Sequence, residues 1–206
     1  MNASIFKKTR IAYVILAAST FMACSEKKQE TATTAQDQQT ETPAVGREVI
    51  KTPDYKAGNA PVKTALAQLL AGYLKVTAAL TASDLASAKR EAGALVAAVG
   101  KVPVATLAGE QQAFATEKVA EVRQSAANMA NANDIRVVRE HLELLSEATF
   151  SLTKAFGTTD QKLYYQHCPM ANQDQGGYWL SAQKEIRNPY FGKAMLECGS
   201  TEEVLN

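Results

Sequence analysis

The sequence predicts an all-α fold, an antiparallel four-helix bundle with a small aromatic-rich C-terminal cap containing short strands or turns. Three observations predict it. Between residues 58 and 157, apolar residues recur at three- and four-residue steps in four separate stripes. Short segments marked by Gly, Pro, Asn or Ser separate the stripes. After Gly157 the composition changes, and Tyr164, Tyr165, Tyr178, Trp179, Tyr190 and Phe191 crowd into the tail with Cys168 and Cys198.

Residues 1–23 are expected to be a signal peptide. Lys7, Lys8 and Arg10 form a basic start, and Ile11 to Ala23 is an apolar run too short to span a bilayer. Phe21-Met22-Ala23-Cys24 resembles the lipobox of bacterial lipoproteins, although Leu is usual where Phe21 stands. That resemblance implies cleavage before Cys24, acylation of Cys24 and attachment to a membrane. With Ser25 rather than Asp after Cys24, it implies an outer-membrane lipoprotein facing the periplasm. Ordinary signal cleavage, with Cys24 incidental, is the alternative. From Cys24 to residue 57 the chain is expected to be a linker; Ser25 to Thr52, dominated by Thr, Gln, Glu, Ala and Lys, cannot bury enough apolar surface to order.

The first helix carries Val62, Leu66, Leu69, Leu70, Tyr73, Leu74 and Leu80, with Asn59 placed to cap it and Pro61 in its first turn. Ser83 or Asp84 opens a second, with Leu85, Ala88, Ala92, Leu95, Val96 and Val99 on one face and Gly100 and Pro103 ending it. A third runs from about Leu107 to Ala130 behind Ala115, Val119, Val122, Ala126 and Met129. A fourth starts after Asn133 with Ile135, Val138, Leu142, Leu145, Thr149, Leu152 and Phe156, and Gly157 is its C-cap. Residues 158–206 form the cap, in which Leu163 to Tyr165 and Tyr178 to Leu180 are expected as short strands and Gly176-Gly177 and Asn188-Pro189 as turns.

The charge balance is near neutral, 22 basic against 21 acidic residues, which excludes the strong basic excess of a nucleic-acid binder. Lys7, Lys8 and Arg10 are the only charges in the first 23 residues, so their removal takes the net charge from +1 to −2. Three cysteines are too few for a disulfide-dense scaffold. No enzyme motif stands out: there is no Cys-x-x-Cys, no Gly-x-Ser-x-Gly elbow, no phosphate-binding glycine loop and no Glu-x-x-His pair for a di-iron bundle. The chain reads as a non-enzyme.

The candidate chemistry lies in His167-Cys168-Pro169-Met170 and Met195-Leu196-Glu197-Cys198. In an extended strand Cys168 and Met170 share one side and His167 takes the other. In a helical turn Met195 and Cys198 share a face. A hairpin bringing the tracts together would assemble two thiols and two thioethers, a soft set that selects Cu(I) over hard cations. His141, on the flank of the fourth stripe, and His167 are further candidate donors. Two alternatives stand beside metal binding: a structural Cys168–Cys198 disulfide, and inert buried thiols with Met170 and Met195 as packing.

Four blocks of the tail carry a resemblance: Tyr164-Tyr165-Gln166-His167-Cys168-Pro169-Met170-Ala171, Gly177-Tyr178-Trp179-Leu180-Ser181, Ile186-Arg187-Asn188-Pro189-Tyr190-Phe191-Gly192 and Met195-Leu196-Glu197-Cys198-Gly199. Together with Tyr73-Leu74, Arg139-Glu140-His141 and Ser146-Glu147, they make the chain similar to a bacterial domain of unknown function. That family occurs in envelope lipoproteins and fused to periplasmic adaptor subunits of copper/silver efflux pumps. The resemblance implies metal contact at Cys168, Met170, Met195 and Cys198. It implies copper as the bound metal and a heavy-metal efflux adaptor or a metallochaperone as partner. Gln124, Asn128 and Asn131 stand in the third helix, where family members often carry histidines. Two functions follow as expectations: a membrane-tethered Cu(I) binder for efflux, buffering or delivery, or a structural lipoprotein that docks on an envelope or efflux partner with Cys168 and Cys198 oxidised.

Overall fold

The computed structural model describes residues 50–205. The expected signal, Cys24 and the linker up to residue 49 lie outside the described residues. The described part is mostly helical, with five helices followed by a three-stranded antiparallel sheet.

Helix α1 spans Ala60–Thr81, with Pro61 in its first turn, where a missing N–H is harmless. Asn59 stands before α1 but does not cap it. Its backbone is left-handed (φ 54°, ψ 50°), outside the extended region that aims a cap side chain at the helix, and its amide donates to Gln111 Oε1 at 3.4 Å instead. Helix α2, Leu85–Val99, is capped by Asp84, which accepts from Ser87 N at 3.0 Å and from Ser87 Oγ at 2.7 Å. Those bonds to the ionised form hold the Asp84 carboxyl below its ordinary pKa. Helix α3, Gly109–Asn131, follows a short 3₁₀ turn.

The expected fourth helix is two. Helix α4, Ile135–Glu140, is capped by Asp134 and ends at His141, whose N–H bonds Val138 O at 3.3 Å in a tightened turn. Helix α5, Leu142–Phe156, restarts at once and ends on Gly157, which adopts the left-handed conformation (φ 60°) natural to a helix-terminating glycine. Helix α1 packs on α2, α2 on α3, α3 on α5 and α5 back on α1. The alanines Ala88, Ala92, Ala115 and Ala126 are fully buried, which lets the helices approach closely.

Strand β1 (Leu163–Cys168) lies between β2 (Gly177–Ser181) and β3 (Ser200–Leu205), both antiparallel to it. The third strand was not anticipated from sequence. Leu163, Tyr165, Trp179 and Leu180 belong to the same core as the helices, so the sheet is built onto them without a core of its own. The end of the expected linker also lies on this core. Tyr55 donates its N–H to Ala155 O at 2.7 Å, and its ring meets Phe114 and Phe156 at 5.8 and 5.5 Å between centroids. Ile50 packs there too, so ordered chain begins earlier than residue 58. Among the described residues no helix is long and apolar enough to cross a membrane.

Candidate functional site

The site is built on the last residue of β1 and a turn thirty residues later. Cys168 is buried at the end of β1, opposite Gly177. Cys198 follows the turn in which its N–H bonds Met195 O at 3.3 Å. The two sulfurs stand 3.1 Å apart, and both cysteines are free. The hydrogen bond to Cys168 pushes the Cys198 thiol above its ordinary pKa, because it favours the protonated form.

Two residues bring the second tract onto the first. Asn188 is fully buried; its Nδ2 donates to Cys198 O at 2.8 Å, and its Oδ1 accepts from Tyr190 N at 2.8 Å and Phe191 N at 3.2 Å. Gly199 has φ +143°, and a Cβ there would stand 2.6 Å from His167 O and 2.9 Å from the Trp179 ring. Only glycine at 199 lets the chain pass so close to β1 and enter β3 at Ser200.

The other candidates are not all gathered. The strand ends at Cys168, and Met170 has helical backbone (φ −86°, ψ −7°) and is 46% exposed. The alternation expected to carry it to the Cys168 side therefore stops short of it. Met195 is half-buried in the same turn as Cys198. His167 takes the opposite face, as strand alternation requires, and stacks on Tyr178 with centroids 4.2 Å apart. Burial lowers its pKa, with Glu202 opposing. His141 lies at the α4–α5 break and lines a shallow depression with Asn128, Asn131 and Asp134, where no sulfur residue contributes. Among the described residues no three His, Cys, Asp or Glu side chains converge. Of the candidate donors, the structure brings Cys168 and Cys198 into contact.

A left-handed turn follows Met170: Asn172, Gln173 and Asp174 have φ of 52°, 59° and 63°. Left-handed residues other than glycine cost roughly 1–2 kcal/mol each. Side-chain bonds from Asn172 Nδ2 to Gly176 O (2.9 Å) and Glu143 Oε2 (3.3 Å) brace the turn.

Sequence reasoning missed how the sheet is fastened. Strand β2 is an edge, and its outward N–H groups go to helix side chains. Glu143 Oε2 on α5 accepts from Tyr178 N at 3.0 Å and from Tyr190 OH at 2.8 Å. The Tyr73 hydroxyl on α1 accepts from Leu180 N at 3.0 Å and bonds Ser146 Oγ at 2.8 Å. Burial and Glu143 raise the pKa of Tyr190, which keeps it a donor. Arg139 reaches Pro189 O at 2.9 Å and Leu80 O at 3.2 Å, tying the 187–192 segment to the end of α1. In sequence Glu143 looks like any solvated helix acid and Tyr73 like an apolar stripe residue.

No curated protein and no solved structure matches the chain. One family model matches, over a stretch that runs from the middle of α1 to the approach of β1 and stops before Cys168. Residues 69–161 thus carry a domain of unknown function, the family described as "Protein of unknown function (DUF3347)".

Proposed function

We propose that this protein is a membrane-tethered envelope lipoprotein, anchored through Cys24, that binds a soft metal ion for efflux, buffering or delivery. Cu(I) is the ion its donors suit best. The observation carrying this reading is the contact of two free thiols, Cys168 and Cys198, at 3.1 Å across a thirty-residue separation. Thiolates hold the ion, and Met195 in the Cys198 turn supplies a thioether donor, with Met170 joining only if the turn after Cys168 swings it inward; such a set favours Cu(I) over zinc, calcium or magnesium. This reading gives no part to His167, on the opposite face of β1, or to His141, at the α4–α5 break. In this reading α1, α2, α3 and the α4–α5 pair act as the four-helix bundle that carries the site, with α4 and α5 as one bent fourth helix. The partner is a heavy-metal efflux adaptor or a metallochaperone, whose incoming donor would exchange with a thioether first.

The test uses the full chain with Cys24→Ser, so that Cys168 and Cys198 are the only thiols. It is purified anaerobically, its thiols are counted, and Cu(I) is titrated against a competing chelator. One equivalent bound, with binding lost in Cys168→Ser and weakened in Met195→Leu, supports the reading. Affinity should also rise with pH, since binding displaces thiol protons. A second reading rests on the same contact: the sulfurs need move only about 1 Å to reach the ~2.05 Å of a disulfide, giving a structural lipoprotein that docks on an envelope partner. An intact disulfide in protein drawn from its native envelope, with no Cu(I) bound after reduction, decides for the second.

A further inference from the structure

A groove of about 550 Å³ opens between the second half of α1, the end of β2 and the 187–196 loop. That size is within the ~300–1,000 Å³ typical of small-molecule sites. Its walls are apolar, formed by Leu74, Ala78, Leu180, Ala182 and Leu196. The threonines of the α1 wall offer no free donor: Thr77 Oγ1 donates to Leu74 O at 3.0 Å, and Thr81 Oγ1 to Thr77 O at 2.9 Å. Trp179 also lines the groove and is 1% exposed, yet its Nε1–H has no acceptor among the described residues.

Two cations stand on the same lining. Arg187 and Lys193 are exposed and make no ion pair or side-chain hydrogen bond among the described residues; Glu185 and Glu197, the acids nearest in sequence, are bonded to neither. The charged groups on the groove's lining are therefore both cationic, and neither is spent on a partner within the described residues. Apolar walls and two unpaired cations are complementary to a molecule with an apolar body and a negative charge. We infer that this groove binds a small amphipathic organic anion, an apolar chain or ring bearing a single carboxylate. The site shares no donor with the thiol pair and stands whether or not Cys168 and Cys198 hold a metal.

Trp179 is the only tryptophan of the chain and reports on the groove directly. The experiment titrates the full chain, Cys24→Ser and metal-free, with monomeric decanoate while Trp179 fluorescence is followed. Decanol and phosphatidylglycerol vesicles are run in parallel. The expected result is a saturable change with decanoate, binding at least tenfold weaker for decanol, and a similar loss in Arg187→Glu/Lys193→Glu. Ala78→Phe, which fills the groove without touching a charge, should also abolish it, so a poorly folded charge variant does not spoil the test. The inference is overturned by no saturable response to decanoate, by equal binding of decanol, or by a response to vesicles alone, which would assign the cations to a membrane surface. Undiminished binding in Ala78→Phe overturns it as well.

Discussion

Replacing Tyr73 by Phe should loosen the sheet from the helices while leaving the core filled. The ring is fully buried, and Phe keeps its volume, so no cavity opens. What is lost is one oxygen that accepts from Leu180 N at 3.0 Å and bonds Ser146 Oγ at 2.8 Å. Leu180 and Ser146 are both fully buried, so water cannot replace the missing partner without rearrangement. An unpaired buried N–H costs about 1–3 kcal/mol and the second bond about 1 kcal/mol, a total of roughly 2–4 kcal/mol. The 156 described residues give an unfolding entropy of about 0.33 kcal/mol/K at ~2.1 cal/mol/K per residue, so Tm should fall by about 6–12 °C. Thermal unfolding followed by circular dichroism measures this. Ser146→Ala is the control, expected to fall by only about 1 kcal/mol because the Leu180 bond survives. In the double variant the Ser146 change should add almost nothing to the Tyr73 change. A Tm for Tyr73→Phe within about 2 °C of the parent would refute the claim that this hydroxyl fastens the β2 edge.

Glu143→Gln should destabilise by about 1–3 kcal/mol, since bonds to a charged acceptor are worth roughly twice neutral ones; a loss of near-ultraviolet dichroism from Tyr178 and Tyr190, its partners, would locate the damage in the sheet. Asp84 gives a pH prediction. Its folded pKa is depressed by the Ser87 bonds, so its stabilisation is complete above the unfolded value near 3.9 and is lost as pH falls through the lower folded value. The Tm advantage of the parent over Asp84→Asn should therefore shrink between pH 5 and pH 2, and a constant difference counts against the assignment. Oxidising Cys168 and Cys198 closes a loop of thirty residues, which on the chain-entropy model stabilises by about 3.6 kcal/mol, or roughly 11 °C in Tm. Equal unfolding temperatures for reduced and oxidised chains would show that the loop is already constrained without the bond.

The longer helices were legible because their apolar stripes hold the 3.6-residue period, and several of their ends carry local signals. Asp84 before α2, Pro61 in α1 and Gly157 after α5 act within one turn of the backbone and need no distant partner. The features that escaped depend on such partners. The 135–156 stretch keeps one stripe across His141, so its pattern does not register the break between α4 and α5. Strand β3, Ser-Thr-Glu-Glu-Val-Leu, is largely exposed and polar and is a strand only because β1 offers it hydrogen bonds. Asn59 has the right chemistry for a cap, but its left-handed backbone turns the amide to Gln111.

The same division runs through the candidate site. Residue types were enough to pick out Cys168, Met170, Met195 and Cys198 as a sulfur set, and the two-residue period of a strand to set His167 on the face opposite Cys168. That the thiols touch, while Met170 stays in solvent, was decided by long-range contacts. Gly199 passes close against β1, the buried amide of Asn188 holds Cys198 O, and β1 ends one residue too early to carry Met170 inward. The groove beside α1 belongs to the tertiary structure alone. Its walls come from α1 and from residues 179–196, far apart in the chain, and the pairing of two unspent cations with an apolar groove cannot be recognised until those stretches are packed together.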